Sequence, residues 1–287
     1  MIVSWYSSNH ILRLIQNLYI NAKNKENLFF IIVDNTNGND EKLSIDIKSI
    51  NKKYNIKLIF NSQKYNQRSV SHASGLDRAM KVINGYFTLI IDPDTYIFKK
   101  NWDLFCIKKL NDINIALGAP YPLWKLGKVH DFPSPVFFFS KTNWLLSEDT
   151  TWYPFPNYYQ RIFNFFTRKL VRLFGLSTRK RLSANIILNN ISKNLEKLFG
   201  ISSPDTGNNF YIKSKKEKLN SIVFKSYNLI KNQKNLSEKI IKLSNEFELY
   251  FYDDVPFLTH QYSSNIFYYK IGSKDEDWTK YINEFVK

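Results

Sequence analysis

"NGYFTLIIDPDTYIF" (Asn84–Phe98) is an apolar run that stops at two carboxylates with a proline between them. Phe87–Ile91 is short, nearly all apolar, and rich in β-branched and aromatic residues, which predicts a strand buried on both faces. Pro93 has no N–H and a fixed φ, so the ladder ends there. Asp92 and Asp94 are therefore expected just past the carboxyl end of a central strand, where open α/β sheets hold their ligands. Two carboxylates that close repel each other unless a cation or a proton offsets them. Carboxylate oxygens suit hard divalent ions, so Mg²⁺ or Mn²⁺ is the expected partner. For Asp-x-Asp taken by itself, a polar turn after a strand is the competing reading.

Upstream, strand and helix signals alternate. "MIVSW" reads as a strand, and Asn9 to Lys23 as a helix with Ile11, Leu14, Ile15 and Leu18 on one face. "LFFIIV" (Leu28–Val33) is a second buried strand ending at Asp34, and the polar loop "DNTNGND" precedes a helix near Glu41 to Lys53. "IKLIF" (Ile56–Phe60) is a third strand, followed by a helix from about Ser69 to Val82. Strands and helices at these short intervals predict a mostly parallel sheet with right-handed crossovers, flanked by helices. Neither G-x-G-x-x-G nor a P-loop is present, so phosphates would be held by metal and side chains instead of a glycine-rich helix start.

Downstream the pattern is less regular. A helix is expected near Trp102–Leu110, with strands near Ile115–Ala119, Pro135–Ser140, Glu248–Tyr252 and Phe257–His260, and an amphipathic tail. Between Thr150 and Leu195 there is no Asp or Glu. At helical spacing Ile162, Phe163, Phe166, Leu170, Leu173 and Phe174 fall on one face, with Arg161, Arg168, Lys169 and Arg172 opposite. Such a helix can lie on an anionic membrane surface, or pack on the core with its arginines solvated.

Composition narrows the classes. The 287 residues suffice for a large core, and 44% hydrophobic with 16% aromatic content excludes a disordered chain. A formal charge of +16 points to anionic partners: a nucleotide, a phospholipid surface or nucleic acid. Cys106 is the single cysteine, which excludes an intrachain disulfide and a cysteine-based zinc site. With no leader pattern at "MIVSWYSSN" and no apolar run near ~20 residues, the expectation is a cytoplasmic protein, soluble or peripheral at the inner face of the cell membrane.

The strand-first N-terminus, the Asp closing the second strand and "DPDT" after the fourth resemble the GT-A fold of family 2-like glycosyltransferases. The resemblance is clear over the first ~120 residues and holds in outline beyond. It implies one GT-A domain: a nucleotide-sugar half at 1–125, and an acceptor half at 126–287 that includes a basic helical segment at 157–200. It also implies a nucleotide-sugar donor, a UDP-sugar first of all, and a glycan or lipid-linked acceptor in cell-surface polysaccharide synthesis. By match, Asp92 contacts the ribose or the metal, Asp94 binds the metal, and Asp34 contacts the nucleobase. Ser4, Trp5 and Tyr6 would line the other side of the base, with His72 and Asp77 of "SHASGLDRAM" bordering the donor. The family 2 likeness favours inversion, which needs a base for the acceptor hydroxyl. Asp205 in "SSPDTGNNF" matches that position; its alternative role is to N-cap the following helix. Asp253 and Asp254 are the reserve acids. His260 is the candidate late-chain metal ligand, its alternative a hydrogen-bonded structural histidine. Since coordination needs a neutral imidazole, donor affinity is expected to fall as pH drops through ~6.5 or somewhat lower. His130 would line the acceptor pocket or cap a turn, and His10 would belong to a helix start.

Two other classes compete. A nucleotidyltransferase acting on sugar phosphates shares the sheet and the acids, but it wants a glycine-rich N-terminal loop, and "VSWYSSNH" has none. A non-enzymatic basic nucleic-acid or membrane binder would explain the charge. No helix-turn-helix, zinc-finger or RNP-type pattern supports nucleic acid as a partner.

Overall fold

The computed structural model describes residues 1–62, 68–121, 128–147, 150–155, 204–226, 236–261 and 275–286, with single positions at 159, 162 and 166. Strands β1 (Ile2–Ser4), β2 (Phe30–Asp34) and β3 (Ile56–Phe60) form a parallel sheet, with helices α1 (Ser8–Asn21) and α2 (Glu41–Ile50) in the crossovers. Helix α3 (Arg68–Met80) leads to β4 (Phe87–Ile91). The Met1 amino group donates to Leu89 O at 2.6 Å, and Ile91 N donates to Met1 O at 3.2 Å. These bonds set β4 beside β1, parallel to it, with Met1 level with Ile90.

The expected α/β class is therefore what the chain forms, a parallel sheet flanked by helices with mixed pairing beyond it. On the far side of β4 runs β7 (Pro133–Lys141), antiparallel both to β4 and to β6 (Asn114–Pro120), and β8 (Asn220–Val223) closes the edge parallel to β6. A second, antiparallel sheet has the order β5-β11-β10-β9, with β5 (Thr95–Ile97), β9 (Lys225–Ser226), β10 (Glu248–Tyr252) and β11 (Val255–His260). The other helices are α4 (Trp102–Lys109), α5 (Thr142–Leu146), α6 (Asn208–Lys216), α7 (Glu238–Glu246) and α8 (Asp275–Val286).

The period-two pattern of the strands splits the core between the two faces of the sheet. Ile2 and Ile32 pack on one face against Ile11, Leu14, Ile15 and Leu18 of α1, the four positions its sequence spacing marks. Val3, Ile31 and Val33 pack on the other against Ala73, Leu76 and Ala79 of α3. Burying each large aliphatic side chain contributes about 1.5–3 kcal/mol over leaving it exposed. Gly75 lets α3 come this close, because a Cβ there would stand 2.8 Å from Val3 and from Asn35. A third cluster joins α7 and α8 to the second sheet through Leu243, Phe247, Leu249, Phe251, Trp278 and Ile282.

One expectation needs correcting. Strand β4 is not buried on both faces along its length: Phe87 is exposed and Leu89 only partly covered. Phe87 lines a cavity of about 540 Å³ together with Met1, Phe29, Leu89 and Phe139, at the end of β4 opposite to Asp92. Strand β5 was not legible, since "TYI" is too short to show a period and gains its ladder from β11. Most of the basic segment 157–200 lies outside the described residues, although Ile162 and Phe166 of its apolar face are described and exposed. Among the described residues no helix is long and apolar enough to cross a membrane.

Candidate metal centre and its surroundings

The carboxyl ends of β1, β2 and β3 share one edge, because Ser4 pairs with Asp34 and Asp34 with Phe60. With Met1 level with Ile90, that edge is also level with Asp92 and Pro93. Beyond Pro93 the chain turns into β5, where Thr95 pairs with His260 at the end of β11. Gln261 N donates to Asp94 O at 2.9 Å and locks the crossing. The tight turn and the β5–β11 ladder together bring a residue from the last third of the chain to the Asp pair.

His260 Nε2 lies 3.1 Å from Asp94 Oδ1 and 3.8 Å from Asp92 Oδ2. One ligand atom from each of Asp92, Asp94 and His260 lies within 4.8 Å of the other two. Cis ligands of an octahedral ion with bonds of ~2.1 Å stand ~3 Å apart, so this donor set suits a small divalent ion. Two carboxylates and a neutral imidazole also match the preferences of Mn²⁺. Behind His260, Nδ1 lies 2.9 Å from Glu248 Oε2.

Without metal, burial disfavours the charged form of His260, but Asp94 and then Glu248 outweigh it through charge and hydrogen bonds. The imidazole pKa is raised well above 6.5. Burial likewise works to raise Asp94, and the His260 charge and hydrogen bond, with a smaller contribution from His10, carry it down to about 2 instead. Both shifts favour an imidazolium between carboxylates in the metal-free site, and a metal ion bound there would displace that proton.

The remaining candidates divide into those near the acids and those held elsewhere. His72 Nε2 is 3.6 Å from Asp92 Oδ1. Ser4 is buried and its hydroxyl accepts from Ser7 N at 3.4 Å, whereas Trp5 and Tyr6 project as an exposed T-shaped pair. Tyr6 takes φ 51°, a left-handed conformation uncommon outside glycine. Asp34 is fully buried, and its carboxylate accepts from Thr36 N, Thr36 Oγ1 and Gly38 N at 2.6–2.9 Å. It shapes the loop after β2 from within. Asp77 accepts from Thr151 Oγ1 and, at 2.7 Å, from Trp152 N, which ties α3 to the 150–155 segment. Its pKa is raised, chiefly by burial.

Asp205 forms an ion pair with Lys128, Nζ to Oδ2 at 2.6 Å, and accepts from Thr206 N at 2.9 Å. It does not cap α6: Gly207 is the N-cap, at φ 87°, with Trp152 so close that a Cβ would stand 2.9 Å from its ring. Asp253 and Asp254 are corrected as reserve acids. They form the two-residue turn between β10 and β11, both at positive φ, a hairpin geometry. Four ladder positions of ~3.4 Å separate that turn from His260. His130 Nδ1 lies 2.9 Å from Tyr121 O, and His10 Nδ1 accepts from Arg13 at 2.7 Å.

Sequence reasoning missed Glu248, Lys128 and Tyr121. Burial, and then the negative charges of Asp205, Asp92 and Glu248, push the Tyr121 phenol well above its usual range. Tyr121 therefore stays protonated. A Glu opening the apolar run "ELYFY" was the readable signal for Glu248, since a charge in a buried strand needs a partner.

No protein-family model and no curated protein sequence matches the chain. Solved structures match over part of it. The mannosyltransferase PcManGT from Pyrobaculum calidifontis, in complex with GDP-Man and Mn²⁺, is 14% identical over 51% of this chain and 44% of its own, with a TM-score of 0.41. S. aureus TarS 1–349 in complex with UDP-GlcNAc is 18% identical over 53% of this chain and 47% of its own, with a TM-score of 0.40. The chain thus spans less than half the length of either structure. The site's own geometry carries the functional reading.

Proposed function

We propose that the chain is a metal-dependent glycosyltransferase that moves a sugar from a nucleotide diphosphate, a UDP-sugar first of all, to a glycan or lipid-linked acceptor, with inversion. The supporting observation is the convergence of Asp92, Asp94 and His260 at the carboxyl edge of a parallel nucleotide-type sheet. A divalent ion there supplies Lewis acidity to a leaving diphosphate and orients it. Asp94 and His260 hold that ion, and Asp92, with His72 beside it, faces both the ion and the ribose side of the donor. The exposed Trp5–Tyr6 pair offers an aromatic wall for the base, over a loop that Asp34 braces from within. Asp77 acts at one remove, by fixing α3 against the 150–155 segment.

Asp205 is the proposed general base. Lys128 pairs with it in the structure, so the carboxylate must exchange that ammonium for the acceptor hydroxyl before it takes the proton. Lys128 is then released close to where the transferred group arrives. A thermal-shift screen of nucleoside diphosphates and sugar nucleotides, each with and without Mn²⁺, tests the reading. A ligand selective for the folded state raises the melting temperature. A rise that needs both nucleotide and metal supports the proposal; no response to any sugar nucleotide with Mn²⁺ present removes it.

A further inference from the structure

Glu248 is a carboxylate in an unusual place. It is 3% exposed, it opens a buried strand, and among the described residues its ion-pair partner is His260. Its Oε2 stands 2.9 Å from His260 Nδ1 and 3.0 Å from the Tyr250 hydroxyl, which is also 3.2 Å from the Pro120 carbonyl. Its Oε1 is buried and, among the described residues, has no hydrogen-bond partner. A buried acceptor oxygen without a protein partner is costly, and buried charges are kept where they are paired or serve a metal.

We propose that Glu248 is a positioning residue for metal binding, one that holds His260 with its Nδ1–H pointing back and its Nε2 lone pair toward Asp92 and Asp94. The inference rests on the metal site of the reading above and goes beyond it, to a residue that touches neither ion nor donor. An imidazole has two nitrogens, and the one that does not bind the metal sets ring orientation and tautomer through its own hydrogen bond. A carboxylate can only accept, so Glu248 fixes Nδ1 as the donor. The register of β10 against β11 builds this in, because Glu248 and His260 are direct cross-strand partners. Tyr250, two residues on along the same face, stops the carboxylate from swinging away.

The test is Mn²⁺ affinity without any sugar donor, read by electron paramagnetic resonance, for wild type, Glu248→Gln, His260→Ala and the double variant. A Gln side chain can turn its NH₂ to Nδ1 and force the wrong tautomer. Glu248→Gln is expected to weaken Mn²⁺ binding roughly 10–100-fold, the usual cost of disturbing a ligand's hydrogen-bond partner. In the His260→Ala background the same change should have almost no further effect, since the two act in series. Affinity within about two-fold of wild type, or an equal loss in both backgrounds, overturns the proposal. Should the Gln variant fail to fold, nitrogen NMR of His260 in the wild-type protein loaded with Zn²⁺ gives the answer directly. A protonated Nδ1 with metal at Nε2 supports the inference, and the reverse overturns it. Wild type that binds Mn²⁺ but no sugar nucleotide would defeat the transferase reading alone and leave this one standing.

Discussion

Titrating the metal-free protein should reveal the proton that a metal ion displaces. His260 has a folded pKa raised well above 6.5. Its stabilisation is therefore complete below ~6.5 and is lost as pH rises through that raised value. Asp94, lowered from 3.8 to about 2, contributes stability that is present above 3.8 and lost as pH falls through about 2. These shifts largely describe one ion pair and count once. At 1.36 kcal/mol per unit the Asp94 shift corresponds to ~2 kcal/mol, an upper value because its side chain is 19% exposed. At ~2.1 cal/mol/K per residue, a chain of 287 residues has an unfolding entropy of ~0.6 kcal/mol/K, so losing the pair lowers Tm by ~3–4 °C.

Mn²⁺ should act in the opposite sense. It competes with the His260 proton, so its stabilisation grows with pH. At 100 times Kd the gain is ~2.7 kcal/mol, a rise in Tm of ~4–5 °C. Scanning calorimetry between about pH 5.5 and 8.5, in EDTA and in Mn²⁺, separates the two effects, with His260→Gln as the non-titrating reference. The metal-free wild type should lose stability relative to that reference as pH rises, and the Mn²⁺ increment should widen. A metal-free Tm that stays level with the reference, or a Mn²⁺ increment independent of pH, would show that His260 carries no such proton.

Three further outcomes are expected. Asp94→Asn should abolish metal-dependent nucleotide binding in calorimetric titrations while leaving the fold intact by circular dichroism, since Asp94 lies at the sheet edge and its loss costs only the ~2 kcal/mol above. Asp205→Asn should lower kcat by ~10²-fold or more with donor affinity little changed, because a base acts in the transition state; activity within a few fold of wild type would return Asp205 to a purely structural pair with Lys128. The acid-free, arginine-rich sequence at 157–195 should make liposome co-sedimentation depend on anionic lipid and fade with salt, and equal binding to neutral vesicles would count against it.

Local order was the legible part of the fold. Ile56–Phe60 and Phe87–Ile91 stand as the sequence marks them, because a β-branched run between turn signals has few alternatives. Helix α1 buries the four residues its spacing marks, since a 3.6-residue period has one apolar face to hide. What could not be read was long-range. Nothing near His260 in sequence reveals that β11 pairs with a three-residue strand starting one residue after Asp94. His260 was picked out by residue type and place in the chain; the run "ELYFY" marks Glu248 as a charge in need of a partner, but only the β10–β11 register shows that the partner is His260. Asp34 shows the same limit from the other side. Its position at the strand end was readable, but the direction of its carboxylate depends on Thr36 and Gly38, which fold the loop back over it.

Pulsed electron paramagnetic resonance on the protein with Mn²⁺ and UDP reports which nuclei touch the ion, and so whether His260 and the diphosphate share it. A nitrogen coupling from the His260 imidazole, lost in His260→Ala, is expected together with phosphorus couplings from the diphosphate in the same spectrum. Mn²⁺ that shows only water protons, or phosphorus without protein nitrogen, would contradict that arrangement.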